Sequence, residues 1–247
     1  MTSVDAGVGG LQAHGSGFRV RTPPIAPAWH TAAFVSLFLL LTAAGALFQT
    51  SADLHPGRLQ QHPDVVGLYV SLIVVEWALV FWVWRGLRRT GTGLRDVVGG
   101  RWSSPAAICA DVLLDFGVWV LWTAGEAAWD RWLGPGHAAS DGALLPRQPA
   151  EAVLWIALSM SAGFCEEVAF RGYLQRQFTA FTGSAAVAIV LQAVLFGVAH
   201  GYQGVAATIK IAAYAVLLGL VAWSRSSTRP GMLAHAWSDV FAGLIAK

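Results

Sequence analysis

The sequence predicts an all-α fold, a polytopic transmembrane helical bundle of about seven spans, with about six to eight as the range. Two observations lead there. Of 247 residues, 55% are hydrophobic and only 12% charged, with a mean hydropathy of +0.55, whereas a soluble domain carries roughly a quarter of its residues as charges. Half that supply cannot cover a globule with polar surface, so lipid has to serve as part of the solvent. The second observation is a series of apolar runs near the roughly 20 residues that a bilayer core requires.

The elements follow in order. Residues 1–28 bear Gly, Pro and Ser and no long apolar run. They lack the apolar region and cleavage site of a secretory signal and read as a mobile cytoplasmic tail. Apolar runs then cover 32–48, 65–84, 105–124, 150–174, 184–200, 205–224 and 232–245, the last of them short. They divide into N-terminal transmembrane helices over 29–149 and a polar-motif-bearing set over 150–247, together one integral membrane domain. The stretch 137–149, with Gly, Pro and Ser, reads as an outer loop.

Orientation follows from the basic residues, which concentrate on the cytoplasmic side. Arg85, Arg88, Arg89, Arg95 and Arg101 crowd the loop after the second span. Alternation then puts Arg19, Arg21, Arg176, Arg225 and Arg229 on the same side, ten in all, against Arg58, Arg131, Arg147 and Lys247 outside. The N-terminus is expected in and the C-terminus out. Trp29, Trp84, Trp102, Trp132, Trp155 and Trp223 sit near span ends, as interfacial aromatics do. The bias toward Ala, Gly, Val and Trp, with only two Lys, is that of a GC-rich bacterial genome, and the expected site is the bacterial cytoplasmic membrane.

Composition also excludes. A formal charge of +2 leaves no basis for a nucleic-acid partner; the partners expected are membrane lipid and a peptide or protein substrate, with oligomeric state open. Cys109 and Cys165 both lie in apolar runs and make no disulfide framework.

A charge at the bilayer centre costs about 2.5–3.5 kcal/mol on insertion scales, so polar residues inside spans carry the information. They cluster in the C-terminal half: Glu166, Glu167 and Arg171 in one span, Phe196 to His200 closing the next, and His235 to Asp239 in the last. Residues four apart share a helix face, so Glu167 stacks on Arg171 as a structural ion pair. Glu166 projects about 100° away with no basic residue at that spacing. An unpaired carboxylate in an apolar wall holds its charge poorly and suits a base that takes a proton from water. His235 and Asp239 share a face as well. Two imidazoles and a carboxylate on three helices can hold a divalent metal such as zinc, with Glu166, His200 and His235 as ligands and a fourth position for water. The same groups without metal can activate water and polarise a carbonyl. Either route is hydrolysis.

Glu-Glu-x-x-x-Arg, Phe-x-x-x-His and His-x-x-x-Asp, in that order on successive apolar segments over 150–247, resemble the CPBP family, the CAAX prenyl protease and bacteriocin-processing (Abi) intramembrane proteases. The resemblance implies Glu166 as the water-activating residue, His200 as its partner, and His235 with Asp239 in the oxyanion region, with Glu167 and Arg171 in support. This chain departs from the family in having Asp239 where Asn is common. An ionised Asp cannot donate to an oxyanion; it can act protonated, as a metal ligand, or as an orienter of His235.

Two readings from other classes stand beside the peptidase. One is an ion- or proton-coupled transporter built on Glu76, Asp111, Asp115 and Lys210, where packing roles compete. The other is a non-catalytic membrane scaffold or immunity protein. Cys165 beside Glu166 is read as a buried hydrophobe, and Glu126 and Asp130 as outer-interface residues.

Overall fold

The computed structural model describes residues 22–53, 65–134 and 144–245. Most of the expected tail, Arg58, most of the expected outer loop and Lys247 lie outside them. Every regular element of the described residues is helical: α1 (Ala28–Asp53), α2 (Val65–Arg88), α3 (Leu94–Val98), α4 (Pro105–Leu133), α5 (Pro149–Glu167), a π-helical stretch (Val168–Leu174), α6 (Gln175–Thr182), α7 (Ala185–Ala199), α8 (Val205–Arg225) and α9 (Arg229–Leu244). All seven expected spans fall on helices. Four helical stretches are long and apolar enough to cross a bilayer, Val65–Arg88, Pro105–Trp132, Pro149–Thr182 and Val205–Arg225, and Ala28–Ala44 and Ala185–Ala199 are shorter apolar helices. At 16 residues, α9 falls below the roughly 17-residue minimum for a span. The fold is a helical membrane bundle.

Helix ends are set by local chemistry. Ser104 and Ser184 cap α4 and α7, their side chains accepting from Ala107 N and Val187 N, as N-cap hydroxyls do. Gly183, at φ 67°, ends α6 in the left-handed conformation that glycine adopts freely.

Several expected boundaries move, the third span running on to Leu133, and the shift in the fourth bears on the site. The fourth span was expected to stop at residue 174, before Gln-Arg-Gln. Instead the helix continues through the π turn to Thr182. The polar residues that suggested an exit from lipid are bonded to neighbouring helices. Gln175 donates to Gly219 O at 3.0 Å. Gln177 donates to Ala26 O and Thr31 Oγ1 and accepts from Ile25 N. Arg176 donates to Asp96 O on α3.

The bundle closes on small residues. A Cβ on Gly163 of α5 would lie 2.7 Å from Ala236 Cβ and from Met232 O on α9, and one on Gly197 of α7 would lie 2.8 Å from Ala212 Cβ and Thr208 O on α8. Such close approach is how membrane helices gain packing energy where lipid removes the hydrophobic drive. The apolar core gathers Phe34, Val83, Leu87, Val168, Phe170 and Phe196.

Candidate active site

Two features bring the motif residues together. The long α5–π–α6 rod turns at Gly183 into α7, which places Glu166 and His200 at equal numbers of residues from the turn. With the span ends expected from sequence, Glu166, His235 and His200 fall at different depths, a gap that tilt, later helix starts, helix breaks around Gly183 and Gly231, or span ends shifted by a turn would close. Gly183 is such a turn; Gly231 lies inside α9. There the missing side chain lets α9 approach Glu167, whose Oε2 would be 2.9 Å from a Cβ.

The second feature is the π stretch Val168–Leu174, closed by Gln175 N–H donating to Phe170 O. It follows directly on Glu166 and Glu167. A π turn inserts one residue into the helical repeat and is frequent at functional sites.

His235 is the hub. Its ring is 7% exposed, with Nδ1 at 3.2 Å from Glu167 Oε1, and Nε2 at 3.6 Å from Glu166 Oε2 and 3.7 Å from Asp239 Oδ2. Glu167 was expected to serve Arg171 alone. It does hold Arg171, Nη1 to Oε1 at 2.7 Å with both side chains fully buried, but the same oxygen also receives His235 Nδ1–H. Carboxylates behind imidazoles fix ring orientation in this way. The Arg171 guanidinium lies 4.6 Å over the Phe196 ring.

His200 stands to one side. Its Nδ1–H donates to Phe196 O of its own helix at 2.8 Å, which leaves Nε2 free. The Phe196 ring packs on both imidazoles, 4.9 Å from His200 and 5.8 Å from His235 by ring centroid. Among the described residues no hydrogen bond or ion pair joins His200 to Glu166 or His235, and no three His, Cys, Asp or Glu side chains converge as a metal cage. Glu166, His200 and His235 do not form such a cluster in this arrangement.

Further residues reach the site without a motif to announce them. Trp155 on α5 donates from Nε1 to Asp239 O at 2.9 Å, fixing α9 beside Asp239 instead of serving only at the interface. Tyr214 on α8 bonds Ser238 Oγ at 3.0 Å, and its ring is 6.2 Å from that of His235. Glu76 on α2, buried at 8% exposure, has Ser161 as its polar neighbour and lies in the electrostatic field of Glu166, Asp239 and His235. A lone carboxylate in an apolar run gives no sign of which helix it faces.

Of the four residues weighed for a transporter, Asp111 and Lys210 are engaged away from this site. Asp111 accepts from Arg225 Nη2 at 2.7 Å and from Trp102 Nε1 at 2.9 Å, while Lys210 pairs with Asp130 at 3.0 Å. Asp111 and Lys210 thus belong to two separate contacts, one at each end of α4.

These features define a polytopic helical membrane protein with a carboxylate–imidazole pocket walled by its C-terminal helices. Residues 148–241, α5 to most of α9, match the family model described as type II CAAX prenyl endopeptidase Rce1-like. This Rce1-like segment agrees with the CPBP resemblance of the three motifs and supports a CAAX-type intramembrane protease in general. Helices α1 to α4 lie outside the match. No curated protein and no solved structure matches the chain.

Proposed function

We propose that the protein is an intramembrane endopeptidase that hydrolyses a peptide bond in or near the bilayer, with Glu166 as general base. The observation that carries this reading is the approach of Glu166 Oε2 to His235 Nε2 at 3.6 Å. The Glu166 side chain keeps 21% exposure, so water can reach it. In this reading Glu166 takes a proton from water as the oxygen attacks the carbonyl carbon. It then delivers that proton to the leaving amine, and the C–N bond breaks. His235, in its doubly protonated form, is oriented by Nδ1–H donating to Glu167 and donates from Nε2–H to the oxygen that gains charge. Preorganised donors of this kind supply a large share of catalysis in dry sites. Asp239 steadies the far side of the His235 ring, the role open to a carboxylate where Asn is common. The free Nε2 of His200 completes the pocket near the attacking water.

The experiment is cleavage of a quenched fluorogenic peptide by purified protein in detergent. Glu166→Gln should lose about 10²–10⁴-fold in rate, the range for removing a general base, and His200→Ala should lose activity too. Equal rates in wild type and both variants remove the peptidase assignment. Insensitivity to a chelator supports the protein-only route; loss that zinc restores would install a metal on Glu166, His200 and His235.

We further infer N-terminus in and C-terminus out, in a bacterial cytoplasmic membrane. Arg176 and Arg229 bond carbonyls around α3, and Arg225 pairs with Asp111 beside them. This gathers basic residues at one end of the bundle, the pattern of a cytoplasmic face. A bacterial membrane argues against a prenylated CAAX substrate and in favour of an unmodified peptide or protein.

A further inference from the structure

Glu76 remains unaccounted for in that mechanism. Its place is fixed by packing. Helices α2 and α5 run side by side in the same direction, with Tyr69 against Trp155 at 5.4 Å and Trp77 against Phe164 at 5.6 Å. This register sets Glu76 beside Ser161 and about one turn before Glu166. Helix α9 runs the opposite way along α5, with Trp155 bonded to Asp239 O, so Asp239 comes to a similar level. Three carboxyl groups from three helices thus border one stretch of α5.

Charge in this chamber is out of balance. Glu167 is met by Arg171, but Glu76, Glu166 and Asp239 share His235 as the basic group in their field. Glu76 Oε2 is buried with no hydrogen-bond partner among the described residues. A buried acceptor without a donor is costly. Such a group is kept where something else supplies the partner.

We propose that Glu76 is the floor of a subsite for a cationic side chain of the substrate, a lysine or arginine close to the scissile bond. The inference deepens the peptidase reading and rests on it. The geometry selects a long side chain. The Asp239 and Glu166 side chains keep 37% and 21% exposure, whereas Glu76 is buried at 8%. A cation that reaches Glu76 from the solvent side needs an apolar stem, which Lys and Arg possess. Once seated, the cation supplies donors to the open Oε2 of Glu76.

Fluorescein-labelled apolar peptides identical except for one lysine or norleucine test this by anisotropy, a readout that needs no turnover. Wild-type protein should bind the lysine peptide at least about tenfold more tightly. In Glu76→Gln the two peptides should bind alike, near the wild-type affinity for norleucine. If Glu76→Gln does not fold, Glu76→Met, of similar length and apolar, takes its place with the same expectation. Equal affinities in wild type overturn the proposal, as does a lysine preference that survives in the variant. A preference lost with Glu76 but no cleavage by wild type would sink the peptidase reading and leave the cation subsite standing.

Discussion

Helices α2 and α4 bury little of themselves, whereas the rods of the C-terminal half bury much of their length. Within the most apolar stretch of each, 22% of residues in Val65–Arg88 and 11% in Pro105–Trp132 are buried, against 56% in Pro149–Thr182 and 44% in Val205–Arg225. The first two expose Val74, Trp77, Phe81, Leu113 and Phe116, apolar side chains that lipid can cover. The C-terminal helices are joined instead by glycine contacts and by polar groups bonded across helices, both of which demand defined geometry. Lipid tolerates almost any apolar side chain, but a buried carboxylate tolerates one arrangement. The half that holds the site is the half whose packing is specified.

The sharpest way to break this contrast is Glu167→Gln. It removes the charge that Arg171 faces at 2.7 Å in full burial and weakens the hold on His235 Nδ1. Removing one partner of a buried pair typically costs about 3–5 kcal/mol, so thermal unfolding in detergent should move down strongly and peptide cleavage should fall with it. The double variant Glu167→Gln/Arg171→Gln should recover much of the melting temperature without recovering cleavage. Recovery of both would show that Glu167 acts on stability alone.

Gly163→Ala comes next. Its Cβ would meet Met232 O at 2.7 Å, a backbone atom of α9 that cannot step aside without moving His235. Overpacking of this kind costs about 1–3 kcal/mol. Cleavage should drop more than stability, because α9 carries His235 and Asp239 while α5 carries Glu166. An unchanged kcat would mean that the α5–α9 spacing does not set the site.

Gln177→Ala tests the seam between the two regions. Its amide ties the entrance of α1 to α6 through Ala26 O at 2.9 Å, Thr31 Oγ1 at 2.6 Å and Ile25 N at 2.7 Å. Leaving such buried groups unpaired costs about 1–3 kcal/mol. Amide exchange at the start of α1 should speed up while cleavage stays near wild type, since these atoms lie about three helical turns along the rod from Glu166.

Gln177 also shows why the sequence disclosed some features and hid others. Apolar runs are legible because lipid imposes them, and all seven fall on helices. The four-residue spacing of His235 and Asp239 is legible because a helix enforces it. The end of the fourth span at residue 174 was misplaced because a polar side chain at a span end and one bonded between helices, as Gln175 and Gln177 are, look identical in sequence. The π turn after Glu167 breaks no pattern that periodicity can register. Glu76 was visible as a costly residue, but its neighbours were not: the α2–α5 register comes from Tyr69 on Trp155 and Trp77 on Phe164, contacts between residues far apart in the chain.

The smallest expected effect is the most direct control on the comparison. Gly117 lies in α4, where an added Cβ meets nothing within 4 Å, and Ala is favoured over Gly in a helix by about 0.8–1.0 kcal/mol. The Gly117→Ala change is the same methyl addition as at Gly163, placed on a helix that faces lipid. It should leave cleavage unchanged and raise the melting temperature slightly, because the methyl stiffens the backbone and displaces only lipid. A loss comparable to Gly163→Ala would mean that α4 meets a specific surface in the membrane, a second copy or a partner, and that its sparse burial within one chain understates how constrained it is.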